Sequence, residues 1–290
     1  PKERVLLKLV GYILTLFYLT GAFFHEVLPA LVLLISQMAG HTAFAIFALL
    51  IARGLRRSVN HFLYFLRLVA AAFVTELIVA LASWQLNVVM PERNALFTYA
   101  AGIAMLAGLA MTVGCYQDLV AHAIPADGKW DKKTLFGVPV NPGNYRLSPI
   151  VGLAIGLFCI GIAIFVTIFF RFSHGWFGLL FVVLAFLAMR DTDERQLPRF
   201  RRSMFTGTTS LLRTLLYAVY LILAFALIDI IVRRAGSTYT FTRTATLLSI
   251  PLAIVLPEPS TPPSTARRWL TYATLPVFTA LVALVKWIVG

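Results

Sequence analysis

The sequence predicts an all-α fold: a polytopic integral membrane bundle of about nine transmembrane helices, one domain over residues 1–290, with its N-terminus cytoplasmic. Three observations predict it. Hydrophobic residues make up 60% of the 290-residue chain and charged residues 13%, with a mean hydropathy of +0.85. A core surrounded by water cannot bury that apolar load. The apolar residues fall in unbroken runs of bilayer length, and such runs satisfy their backbone in lipid as helices. The basic residues collect between alternate runs, 19 of the 25 Lys and Arg on the side that holds the N-terminus, which is the positive-inside pattern. The net charge of +13 is therefore topology, and nucleic acid is not expected as a partner.

The segments lie near 5–28, 39–54, 61–86, 94–115, 148–171, 175–190, 210–232, 238–256 and 268–289. The first is too long for a signal-peptide core and has no small-residue cleavage site, so it is expected to stay as a span. One face carries Gly11, Thr15, Tyr18, Ala22 and His25, a small and polar stripe suited to helix packing, with His25 and Glu26 at the outer end. Residues 38–54 orient the rest. They open near His41 and close on Arg53, with Arg56 and Arg57 behind, so Arg53 faces the cytoplasm and His41 the opposite side.

The third segment aligns Ala72, Glu76, Ala80 and Ser83. An ionisable group near mid-membrane costs about 2.5–3.5 kcal/mol, so Glu76 requires a polar partner, a watered cavity or its own proton. A structural hydrogen bond and a site role both remain open. In the fourth, Asn94, Thr98, Ala101, Met105, Gly108 and Thr112 share a face, and Asn94 and Thr98 can hydrogen-bond across helices. The fifth holds Gly152 and Gly156, a small-xxx-small spacing. Cys115 and Cys159 read as small apolar residues rather than a disulfide or metal pair.

Between the fourth and fifth lies the longest polar stretch, 116–147, with Pro125, Pro139 and Pro142 among its turn residues; it is expected to form a cytoplasmic loop or lid. The outer turn around Ser173, His174 and Trp176 suits the interfacial belt. The inner loop 190–202 holds Arg190, Arg195, Arg199, Arg201 and Arg202, either an anionic-lipid contact or a phosphate-binding rim. Asp229 and Arg233 are spaced to pair on one helix, and the proline-rich 257–263 is a stiff inner linker. Segment 238–256 is the weakest, holding Arg243 and Pro251; if it only dips into the membrane, the last helix reverses and about eight spans remain.

Leu7-Lys8-Leu9, Gly21, Gly40, the Phe44/Phe47/Gly54 spacing, Tyr64 and Arg67, Glu76, Asn94-x-x-Phe97-Thr98 with Gly102, Gly175-x-x-Gly178 and Pro276 follow one another over nearly the whole chain. In that order they resemble the TraX family, polytopic membrane proteins whose named member acetylates the N-terminus of conjugative pilin. The polar positions depart from the family. Its Asp-His pair late in the first helix is here Tyr18 and Leu19, its Gly-Arg is Gly40-His41, and its Glu-Gly is Arg53-Gly54. Its Asp-Tyr-Gly is Ser173-His174-Gly175, and a histidine after the last-helix proline is Phe278. Lys8, Arg67, Glu76, Asn94 and Thr98 match residue by residue.

The resemblance implies an acyltransferase of the bacterial inner membrane that moves an acetyl group from acetyl-CoA, without a metal. Its partners would be membrane lipid and an acceptor protein, glycan or lipid at the outer face. Such chemistry needs a base near neutrality and a donor for the carbonyl oxygen. His41, Glu76 and His174, all in the outer half on this topology, are expected to converge, with His41 or His174 as base and Glu76 as its orienting carboxylate. Asn94, Thr98 and Tyr18 would position the substrate, and Arg53, Arg67, Arg199, Arg201 and Arg202 would hold the coenzyme phosphates. The lost Asp-His pair motivates an alternative, a catalytically inactive assembly subunit in pilus or envelope biogenesis. A lipid or solute transporter ranks third, because two related halves with matched broken helices are not visible.

Overall fold

The structure, a computed structural model, describes residues 3–57, 61–86, 93–120, 148–188, 241–249 and 265–289. These residues form helices α1 (Glu3–Phe23), α2 (Ala30–Arg57), α3 (His61–Leu86), α4 (Ala95–Val120), α5 (Pro149–Phe169) and α6 (Gly175–Ala188). A 3₁₀ segment (Phe241–Leu248) and α7 (Thr265–Val289) follow. Five helices hold a stretch long and apolar enough to cross a membrane, α2, α3, α4, α5 and α7, while the apolar parts of α1 and α6 are shorter. The protein is thus an all-helical membrane bundle among the described residues.

Three boundaries differ from the sequence expectation; the first is that α1 ends at Phe23, five residues short of the expected 28, so His25 and Glu26 lie in the turn behind it. α2 begins at Ala30, directly after Pro29, whereas the expected spans place 29–38 between them. Proline favours a helix start, and the apolar run behind it has no reason to leave the helix. α4 continues to Val120 and so takes the first residues of the expected lid; the rest of 116–147, the span 210–232 and the loop 190–202 lie outside the described residues. The described part of 238–256 is the 3₁₀ segment, about 16 Å long at 3₁₀ rise. It packs on α2, where Thr42 Oγ1 donates to the Ala245 carbonyl (2.9 Å).

Helix direction follows from the contacts. Lys8 Nζ donates to Thr271 Oγ1 (3.5 Å) at the start of α1 and α7. Lys286 Nζ donates to the Phe23 carbonyl (2.7 Å) at their ends, and lies 3.9 Å from Glu26. These helices run parallel, so the first and last described helices rise from the same face. The Phe23 carbonyl is a last-turn acceptor that α1 itself cannot satisfy, and the half-buried ammonium of Lys286 caps it. Lys286→Met keeps the stem and removes the donor. It is expected to cost about 1.5–3 kcal/mol, read as a lower thermal midpoint in nanodiscs; an unchanged midpoint would mean that water serves the carbonyl as well.

α2 and α4 are the inner helices, with 56% and 50% of their crossing windows buried against 22%, 22% and 17% in α3, α5 and α7. α5 turns Leu157, Phe158, Ile162, Phe165 and Phe169 outward, where lipid replaces protein as partner. Its other face meets α4 through Gly108 and Gly156: a Cβ on Gly108 would stand 2.7 Å from the Gly156 carbonyl oxygen. The small-xxx-small spacing thus sets the α4–α5 approach.

The helices do not end level. Glu76 of α3 meets Asn94 at the head of α4, and His41 of α2 meets His174 at the head of α6. Beyond these contacts α3 runs on by ~15 Å to Leu86, and α2 extends ~16 Å back to Ala30. The ends of α4, α5 and α6 on this side are therefore set back below those of α2 and α3.

Candidate functional site

His41 sits well inside α2, not at a helix opening, because α2 starts at Ala30. Its Nδ1 lies 3.2 Å from His174 Nε2, and the two rings meet edge to face, centroids 4.9 Å apart. His174 Nδ1 lies 2.7 Å from Ser173 Oγ. A line of three groups, hydroxyl, imidazole and imidazole, results from segments 133 residues apart in sequence.

The α5–α6 turn is built to present His174. Arg171 (φ 52°), His174 (φ 66°) and Gly175 (φ 52°) take left-handed backbone conformations. Glycine adopts this freely, whereas a Cβ-bearing residue is strained there, so the turn holds His174 against its own preference. Contacts on every side do the holding. Phe44 stacks on the imidazole at 3.9 Å and is backed by Tyr99, whose ring lies 5.0 Å from it. Tyr99 Oη donates to the Phe44 carbonyl (2.9 Å). Gly178 leaves room for this convergence: a Cβ there would stand 2.6 Å from Thr98 Cγ2, 3.0 Å from His174 Cβ and 3.1 Å from Phe44 Cζ.

Ser173 is fixed through its backbone. Its N–H donates to the Arg93 carbonyl (3.0 Å), and Thr98 Oγ1, fully buried, donates to its carbonyl (2.5 Å). Arg93 N–H in turn donates to the Arg171 carbonyl (3.0 Å), closing a two-residue bridge. Thr98, expected to position a substrate, is thereby committed to the turn.

Glu76 does not reach the imidazoles. It ion-pairs with Arg93 and accepts from Asn94 Nδ2 (3.0 Å) and from the Asn94 amide (3.4 Å). Asn94 Nδ2 also donates to the Ala72 carbonyl (3.0 Å), and its Oδ1 accepts from the Leu96 amide (3.1 Å), capping α4. A carboxylate in an apolar helix takes the nearest cation, here the one beyond the end of its own helix. Glu76 is thus joined to Ser173 and His174 through the backbone of Arg93, as a support to the turn. The variants Glu76→Gln, Arg93→Gln and the double change are expected to be strongly non-additive in thermal midpoint, since they break one corner. Additive shifts would separate the two residues.

Tyr18 is exposed, with its ring close over Gly40, the residue before His41. Arg67 stands in the first half of α3, near the end of α2 that carries Arg53 and away from the histidines. His41 and Arg53 are separated by ~18 Å of helix rise. The Arg53 side chain and all of Arg199, Arg201 and Arg202 lie outside the described residues. Among the described residues no group of three or more His, Cys, Asp or Glu could hold a metal ion, and Cys115 and Cys159 are not joined in a disulfide.

Sequence reasoning missed Ser173, Phe44 and Arg93. The Ser-His-Gly order before a helix was the available signal for the first, since glycine there allows the turn to fold back on itself. Chemically, only one hydrogen can lie between His41 Nδ1 and His174 Nε2. A proton entering at either end of the line can therefore be passed along it. Comparison of the chain with protein-family models, curated proteins and solved structures finds no match.

Proposed function

We propose that this protein is a TraX-like acyltransferase of the bacterial inner membrane, of about nine spans with a cytoplasmic N-terminus. It moves an acetyl group from acetyl-CoA to an amine or hydroxyl of an acceptor protein, glycan or lipid at the outer face. The observation that carries this reading is the hydrogen-bonded pair His41–His174, held half-buried within a membrane bundle by a strained turn. Acyl transfer needs a base to take the acceptor's proton, and paired imidazoles supply one at neutral pH while sharing the charge that forms. On the opposite side, Arg53 and Arg67, with Arg199, Arg201 and Arg202, would bind the coenzyme phosphates, and the thioester arm would cover the remaining rise.

The test is radiolabelled acetyl-CoA with the protein in nanodiscs and an acceptor panel of N-terminal peptides, amino sugars and lipid-linked glycans. Label on an acceptor supports the reading; no label on any, together with no coenzyme binding by calorimetry, overturns it. A second reading, a catalytically silent assembly subunit, is favoured by Tyr18 and Leu19 standing where the family has Asp-His and by Glu76 being committed to Arg93. It predicts a stable envelope complex whose function survives the combined changes His41→Ala, Glu76→Ala and His174→Ala.

A further inference from the structure

We propose that Ser173 is a nucleophile, and that transfer proceeds through an acyl-serine intermediate. This rests on the acyl-transfer reading above and adds a covalent step that the reading does not require.

Nucleophilic catalysis by serine needs a base at hydrogen-bond distance and a third group that orients the base. Ser173 Oγ lies 2.7 Å from His174 Nδ1, and His174 Nε2 lies 3.2 Å from His41 Nδ1. Two tautomeric arrangements satisfy both of these contacts, and nucleophilic chemistry uses the one in which His174 Nδ1 is unprotonated. The serine hydroxyl donates to Nδ1, so His174 carries its proton on Nε2 and donates it to His41 Nδ1. His41 then fixes the tautomer in which Nδ1 is the free base, the task a carboxylate performs in other serine sites. Glu76, the carboxylate nearest in role, is absorbed by Arg93 and Asn94 and leaves this place to an imidazole.

The backbone supports the same assignment. The Ser173 amide and carbonyl are both engaged, with Arg93 and Thr98, which leaves the hydroxyl as its one group directed at the imidazole. The left-handed conformation of His174 folds its ring back over the preceding side chain. A turn with no other duty would place glycine there and shed the strain.

The chemistry balances without a further reactant. In the first half, Ser173 Oγ bonds to the thioester carbonyl carbon as its proton passes to His174 Nδ1. The carbon–sulfur bond then breaks, and the coenzyme leaves as a thiol with that proton. In the second half, the acceptor amine or hydroxyl gives a proton to Nδ1 and attacks the serine ester. Ser173 Oγ departs with the proton, and the enzyme is restored.

The experiment treats the full-length protein in nanodiscs with a fluorophosphonate probe and, separately, with radiolabelled acetyl-CoA lacking acceptor; modified peptides are mapped by mass spectrometry. Expected are fluorophosphonate on Ser173, a hydroxylamine-labile acetyl group on the same residue, and loss of both in Ser173→Ala. His174→Asn should slow probe labelling at least 100-fold, and Ser173→Cys, near-isosteric, should retain acylation as a thioester. Ser173→Ala that transfers acetyl to acceptor at the wild-type rate overturns the intermediate and leaves direct transfer standing. Fluorophosphonate on Ser173 with neither coenzyme binding nor transfer keeps the activated serine and overturns acetyl-CoA as its donor. Labelling of Ser173 by neither reagent, in protein of unchanged thermal midpoint, overturns the inference.

Discussion

His174→Asn is expected to lower acyl transfer by about two to four orders of magnitude, the usual contribution of a positioned acid–base group, while the protein still folds. Asparagine is chosen because it tolerates the left-handed backbone that His174 adopts, so the turn is not asked to rebuild. Its side chain cannot span from Ser173 to His41, and the proton line is cut at its centre. Stacking on Phe44 is also lost, which should lower the thermal midpoint slightly. His41→Asn should cost less, and the double change should cost no more than His174→Asn alone, because residues acting as one unit are not additive. Initial rates at saturating acceptor, with the midpoint alongside, decide the matter. An unchanged rate in His174→Asn would remove the imidazole pair from the mechanism.

The largest structural effect is expected at the α4–α5 contact. Gly108→Leu forces a side chain into the space where a Cβ alone would lie 2.7 Å from the Gly156 carbonyl oxygen and 3.1 Å from Cys159 Cβ. A backbone oxygen cannot swing aside, so the helices must part, and the cost should reach or exceed the upper end of the overpacking range, about 3 kcal/mol. Gly161→Leu is the matched control on α5, since nothing lies within 4 Å of its added Cβ. The measurement is monodisperse yield and thermal midpoint after extraction. Equal behaviour of the two variants would mean that α4 and α5 are not held by this approach.

The crossing helices were legible because hydropathy over about twenty residues reports the solvent directly, and lipid leaves the backbone one open-ended choice. Residues 61–86 show this best, since the expected span and α3 coincide. α2 was harder: the expected span starts at 39, whereas the helix starts directly after Pro29 and carries the polar Ser36 by burying it against Gly21. The common side of His41 and His174 was readable from charge topology, but their contact was not, because topology gives depth and not rotation about the helix axis. Glu76 shows the same limit. Sequence showed that it needs a partner in lipid; only the placement of Arg93 ahead of α4 decides that the partner is Arg93 rather than an imidazole.

The set-back ends of α4, α5 and α6 bear on what this chemistry can accept. α2 reaches some ~16 Å past His41 and α3 some ~15 Å past Glu76, so among the described residues the imidazole pair lies below the tips of these two helices. On the acyl-transfer reading, a rigid globular acceptor would meet those helix tips before its amine or hydroxyl arrived. A slender, pliable extremity such as a peptide end or a sugar on a lipid tether would descend, and selection among acceptors becomes a question of reach before one of recognition.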